Sequence, residues 1–413
     1  MFATIKQIFN PKNRDLQKRI LFTLAALFVF KIGTAIIVPG VNASTSGMSV
    51  LEVLDAMSGG AFQRASIFAL GVTPYITAQI IIQLLAADIV PYLSELSKQG
   101  GTGRRKLNQI TRVTGIILAF LQGYMYSYAF IGNGNAMDYM LYSLILTAGT
   151  ALLMWIADQI TLKGLGNGMS LIIMAGIISV LPNMFKNLWI ELFAKGFVGI
   201  VIFALFILIF VAIIVGVIFV SEAERRIPIQ YSNRSAGSYG GQQTFLPLKL
   251  NSAGVMPVII ASVIMGIPSM LTYFVKNAKV LAFINKFLTT NTTIGFIIYL
   301  LLIVAFTYIY TFLTINPEEL SKNLNQNGGY IPGVRPGSET KKYISTVLGR
   351  ITFLGAIFIA VIAALPTLFT SLTGLSDTIK LGGTSILIAV GVVLETYKQL
   401  ESSVASRNYN NRR

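Results

Sequence analysis

A succession of long apolar runs constrains this chain more than any other feature. About 20 consecutive apolar residues form a helix able to cross a hydrocarbon core of about 30 Å. Read against the turn residues between them, the runs predict ten such helices, at about 20–38, 66–87, 113–131, 139–159, 169–185, 197–220, 252–275, 292–315, 346–366 and 381–398. The 413 residues are 54% apolar and 12% charged. A soluble globule carries about twice that charge fraction, so the expected fold class is an all-α polytopic membrane protein.

The basic residues orient the spans, because short cytoplasmic loops are enriched in Lys and Arg. With the N-terminus inside, the inner segments hold 24 of the 32 basic residues, the outer segments hold seven, and Lys31 lies within the first span. Both termini are therefore expected in the cytoplasm, and anionic lipid is the simplest partner for the inner charge. The basic arm before the first run is not followed by a small-residue cleavage site, which predicts a retained first span. Cysteine and histidine are both absent, and no phosphate-binding G-x-x-x-x-G-K-[ST] loop occurs. Neither a cofactor nor a metal site is expected, and no catalytic chemistry. The energy for any work must come from a partner or a gradient.

The chain repeats itself. GVTPYI (Gly71–Ile76) of the second run matches GVMPVI (Gly254–Ile259) of the seventh, and GMSLIIMAG (Gly168–Gly176) of the fifth matches GTSILIAVG (Gly383–Gly391) of the tenth. Each pair lies five spans apart. Five is odd, so the two halves cross the membrane in opposite senses, a design that forms working sites at the midplane between halves. The repeat places Ile76, Ile259, Ile173 and Ile388 at comparable depths on four helices.

Ion-coupled transporters keep charged groups at mid-membrane. Here Asp158, Glu222, Glu224 and Glu395 fall near cytoplasmic helix ends, and the polar residues in or near the spans are neutral: Gln79, Gln83, Asn251, Thr73 and Ser170. This speaks against an inverted-repeat secondary transporter of small solutes, the main alternative, and for a passage with an apolar waist. A membrane scaffold without a pore is the third class. On the second helix Ile76 and Ile80 share a face with Thr73 and Gln83, and Pro74 is expected to bend that helix.

Several stretches carry a family resemblance: FALGVTPYITAQIIIQLL (68–85), KQGGTGRRKLNQITR (98–112), DQITLKGLGNGMSLIIMAGI (158–177), ERRIPIQY (224–231), GGQQTFLPLKLNSAGVMPVI (240–259), GGYIPGVRPG (328–337) and GGTSILIAVGV (382–392). Over nearly its whole length the chain resembles the SecY family, channel subunits of the bacterial protein-secretion translocon. The resemblance implies two inverted five-helix halves around a central hourglass pore, closed at the waist by Ile76, Ile80, Ile173, Ile259 and Ile388. It also implies a plug at SVLEVLDAMSGGAF (49–62), represented by Leu51, Val53, Leu54 and Met57, with Gly59 and Gly60 as its hinge. A lateral gate between spans 2–3 and 7–8 is implied, with Gln83 and Asn251 on its helices, pairing when it is shut. Docking of the motor ATPase SecA or the ribosome is implied at Arg335, Arg225, Arg226 and Arg234.

Similarity further implies SecE as an essential partner and SecG as an optional one, with signal-bearing secretory preproteins as clients and membrane lipids around the seam. The expected layout is an arm (1–19), an N-terminal half (20–185), an external connection (186–196), a C-terminal half (197–398) with cytoplasmic loops 221–251 and 316–345, and a tail (399–413). The location implied is a bacterial plasma membrane. Two departures stand out. NRSAGSYGGQ (233–242) is shorter than the family pattern and offers only Arg234, and the outer loop at about 132–138 is also short.

Overall fold

A computed structural model describes residues 14–39, 55, 57–87, 89–131, 134–194, 196–231, 244–271, 277–289, 292–373 and 381–410. Leu51, Val53, Leu54 and Arg234 lie outside the described residues. The N-terminal half contains α1 (Arg14–Gly33), α2 (Thr73–Ala86), α3 (Pro91–Lys98), α4 (Gly100–Ile131), α5 (Ala136–Lys163) and α6 (Gly168–Phe193). The C-terminal half contains α7 (Gly196–Glu222), β1 (Glu224–Tyr231), β2 (Thr244–Lys249), α8 (Met256–Leu271), α9 (Ala278–Phe287), α10 (Thr293–Thr314), α11 (Pro317–Gln326), β3 (Gly329–Tyr330), α12 (Ser338–Thr373) and α13 (Leu381–Asn410).

Each of the ten expected spans contains a helix, and α5, α6, α7, α10 and α12 are by themselves long and apolar enough to cross a membrane. Several helices outrun the apolar stretch. α4 begins at Gly100 and carries the basic run 104–106 as helix, and α12 begins at Ser338. Helix hydrogen bonding continues into polar sequence beyond the apolar stretch, so hydropathy marks only the part of a helix that lipid requires.

The second span departs from expectation. Its helix starts only at Thr73, and residues 66–72 form turns. The end of the first apolar run competes for these backbone groups. Ile67 N–H donates to the Ile36 carbonyl at 3.0 Å, Val38 N–H donates to the Ala65 carbonyl at 3.0 Å, and Ile37 forms a bridge with Ser66. Gly71 then takes φ +56°, and the helix begins two residues later. Pro74 therefore sits in the first turn, where its missing N–H costs nothing, and it does not bend the helix. The repeat reproduces this geometry: Gly254 has φ +64°, α8 begins two residues on, and Pro257 is its second residue.

The loops after the sixth and eighth spans carry β-structure, an addition to the all-helical expectation. β1 pairs antiparallel with β2 (Ile227 opposite Leu246) and with β3 (Gln230 opposite Tyr330), giving the order β2-β1-β3. Ile227 and Ile229 alternate with exposed neighbours along β1 and cover a small core with Leu248, Leu324, Ile331 and Ile344. Pro228 is tolerated because β3 pairs only with the end of β1, leaving one side of the strand open there. α11 is capped by Asn316, whose side chain accepts from Glu318 N–H at 3.0 Å, and Glu318 is tied to Lys322 at 2.9 Å and to Lys341 of α12 at 2.5 Å.

Packing follows the halves. α4 lies against α2 and α5, and α1 against α5 and α6; in the other half α10 joins α8 to α12, and α13 touches α7 and α12. The halves meet where α6 contacts α7 and α13 and where α2 contacts α8. An ion pair between Arg112 and Asp158 at 2.7 Å joins α4 to α5.

Candidate functional site

At the meeting of the halves, side chains from α2, α6, α8 and α13 converge. Ile76 (4% exposed), Ile80 (7%), Ile173 (4%), Ile259 (3%) and Ile388 (2%) belong to one apolar cluster. Their places follow from the local sequence. On α2 a four-residue step keeps Ile76 and Ile80 on one face, and the glycine-proline entry shared by α2 and α8 brings Ile76 and Ile259 into matching positions. The cluster also holds Ile260 and Val263 of α8. The motif reading missed Val263, although the repeat register that aligns Ile76 with Ile259 aligns Ile80 with Val263.

Met57 and Ala61 close one side of this cluster, both buried. The described part of the expected plug is tightly bonded. Ser58 Oγ donates to the Asp55 carbonyl at 2.9 Å, Gly60 N–H donates to the same carbonyl at 2.9 Å, and Gln63 N–H donates to Asp55 Oδ1 at 2.9 Å. Burial raises the Asp55 carboxyl above the usual carboxylate range, opposed by the backbone hydrogen bonds from Gln63 and Phe62 and by the charge of Arg64. Gly59 (φ +76°) and Gly60 (φ +79°) form a left-handed turn that a side chain would strain. Here they serve as a seat, and the Gly59 backbone lies directly on α6 at Gly176.

The seam between α2, α8 and α10 is nearly closed, leaving a narrow cleft of about 10 Å³ lined among others by Ile80, Gln83, Leu84, Ile260, Phe306 and Tyr310. Gln83 and Tyr310 face each other across this cleft, their side chains close enough to interact. The expected partnership of Gln83 with Asn251 is not made: the Asn251 side-chain oxygen is buried without a hydrogen-bond partner. Asn251 also stands in the turn before α8 and not on a helix, because Gly254 delays the helix start. Tyr310 was not singled out from sequence. It lies within an apolar run, and only the fold places it opposite Gln83.

The docking candidates divide. Arg335 is exposed beyond β3, between Gly333 (φ +81°) and Gly337 (φ +97°), and its main-chain carbonyl accepts from Thr340 Oγ1 at 2.9 Å. Its loop is joined to the loop bearing Arg225 and Arg226 by the β1–β3 pairing and by Tyr330 Oη donating to Gln230 Oε1 at 2.9 Å. Arg226 is paired with Glu224 at 2.7 Å. The two loops are thus one structural unit, which sequence alone did not indicate.

Two helical halves that meet at a buried aliphatic centre, with a glycine-bearing segment packed on it and a narrow seam beside it, define a polytopic membrane protein of the channel-forming class. The SecY family model matches residues 66–397. The chain is 46% identical over 432 residues to the protein translocase subunit SecY of Staphylococcus epidermidis and 46% identical over 427 residues to that of Bacillus subtilis, with 99% of each chain covered in both cases. Among solved structures, "The structure of a protein conducting channel" aligns with a TM-score of 0.66 at 17% identity, over 94% of this chain and 92% of that one. "Sec61 in the Canine ribosome-channel complex from the endoplasmic reticulum" aligns at 0.64 and 18% identity, with the same coverage. The chain belongs to the SecY family. It is a multi-pass membrane protein, and these sequence relatives are bacterial.

Proposed function

We propose that this chain is the protein-conducting channel of a bacterial Sec translocase, passing unfolded secretory polypeptides across the plasma membrane and releasing hydrophobic segments sideways into lipid. The observation that carries this reading is the convergence of Ile76, Ile80, Ile173, Ile259 and Ile388, from both halves of the repeat, in one buried cluster. Branched aliphatic groups can part around a threading chain of any sequence, and a dry apolar constriction repels ions. The expected domain boundaries and the cytoplasmic placement of both termini belong to this proposal, supported by the distribution of basic residues.

The coupled sheet that presents Arg335 on the reading's cytoplasmic side suits an external source of work, SecA or the ribosome, and SecE and SecG are the proposed small partners. Arg335→Glu is expected to abolish SecA-driven translocation in vesicles while the protein still folds; unimpaired translocation removes Arg335 from docking. The decisive experiment crosslinks a stalled secretory chain to a photoreactive group at Ile80. Adducts are expected from a channel, and their absence with a verified stalled chain rejects it.

A further inference from the structure

We infer that Thr340 and Ser321 are positioning residues for Arg335, resting on the docking role proposed for it: their buried hydroxyls fix the bend from which its guanidinium projects. Arg335 is exposed, and among the described residues its guanidinium makes neither an ion pair nor a hydrogen bond. Its direction is therefore set through its main chain. That main chain is clipped on both sides of Pro336. Thr340 Oγ1 donates to the Arg335 carbonyl at 2.9 Å, and Ser321 Oγ of α11 donates to the Gly337 carbonyl at 2.8 Å. Thr340 is 3% exposed and Ser321 4%.

Both hydroxyls depart from the usual behaviour of serine and threonine in a helix, which is to donate back to the carbonyl one turn before. Thr307, Thr346, Thr352 and Ser262 do this, each to the fourth residue back. Thr340, the third residue of α12, instead reaches out of its helix to a carbonyl five residues back, across Pro336 and Gly337. Ser321 reaches a carbonyl 16 residues ahead, outside its own helix.

Little else in the loop supplies this restraint. Gly333 and Gly337 have positive φ, and a β-carbon added at either would meet nothing within 4 Å, so packing does not confine them. Upstream, the buried Ile331 anchors the loop in the small core of the sheet, and Val334 N–H donates to its carbonyl at 3.0 Å. Downstream, the ion pair of Glu318 with Lys341 ties α11 to α12 and keeps both hydroxyls within reach of one loop. A guanidinium held in one direction loses less freedom on binding than a mobile one, which strengthens docking without adding a contact.

The chain contains no cysteine, so spin labels at Arg335→Cys and at Arg104→Cys, exposed on α4, read the loop by their separation with no motor present. One narrow distance is expected. Thr340→Val and Ser321→Ala should each broaden it, and Thr340→Ser should restore it. With Arg335 in place, binding of SecA to vesicles bearing the full translocase should weaken about fivefold for Thr340→Val, the effect of one lost hydrogen bond, and Thr340→Ser should bind like wild type. In an Arg335→Ala background Thr340→Val should cost nothing further. Distances unmoved by both Thr340→Val and Ser321→Ala overturn the positioning role, whatever SecA does. So does a loss of binding equally large with and without Arg335, which a merely structural defect would give. Arg335→Ala that binds SecA as well as wild type overturns the docking role itself, a result the label distances distinguish from failure of the hydroxyl clips.

Discussion

Gly59 and Gly176 lie backbone to backbone. A β-carbon on Gly59 would stand 3.2 Å from the α-carbon of Gly176, and one on Gly176 would stand 2.5 Å from the Met57 carbonyl oxygen. At this point the segment that closes the central cluster meets α6 main chain to main chain. Gly176→Val forces the two apart, at a cost of about 1–3 kcal/mol by analogy with overpacked cores. The expected outcome is a leaky resting state, seen as raised ion conductance in planar bilayers without added client; conductance equal to wild type would show that the contact does not hold the seal.

Ile259 is 3% exposed at the centre of the cluster. Ile259→Asn places an amide where no partner stands and admits water to satisfy it. Ion conductance should rise, and more than for an asparagine at Leu301 of α10, which is 63% exposed. Equal effects at the two sites would separate Ile259 from the seal.

Tyr310 and Gln83 line the seam of α2 and α10, placed to share a hydrogen bond that would help to hold the proposed gate shut. Such bonds in membranes average about 0.6 kcal/mol, so Tyr310→Phe should raise the ratio of open to closed gate by about threefold. Spin labels at Leu84 and Leu313, which line the same cleft, would report it as a growth of the longer-distance population. Gln83→Leu should give the same change, with no further gain in the double variant. Additive effects would break the pairing.

Asp55 is buried at 5% exposure, and burial raises its carboxyl above the ordinary value. A raised folded-state value means that the folded form binds the proton more tightly than the unfolded form. Its stabilising contribution is complete below the unfolded value and is lost as pH rises through the folded one. Asp55→Asn keeps the acceptor for Gln63 N–H and removes the buried charge. The variant should melt higher than wild type at neutral pH, and the difference should shrink on acidification. A difference that is independent of pH would show that charge burial is not the cause.

Lipid-crossing helices are legible in sequence because lipid imposes length and hydropathy on each segment separately, whatever its neighbours do. The ten apolar runs, the repeat linking Gly71 to Gly254, and the aliphatic character of Ile76, Ile173, Ile259 and Ile388 were all readable from one dimension. The β1–β2 pair also left a signal, the two-residue spacing of Ile227 and Ile229 and of Leu246 and Leu248, although it lay in segments expected as loops.

Other features required contacts between residues far apart in the chain. Residues 66–72 stay out of helix because residues 36–38 compete for their backbone hydrogen bonds. Gln83 faces Tyr310 and not Asn251, and Ser321 bonds to the Gly337 carbonyl. Local composition determined which segments enter the membrane and which side chains are apolar enough to close its centre. Partner choice among polar groups was decided only by the tertiary structure, because a hydrogen bond or a shared cleft depends on distances of a few ångströms that no single segment specifies.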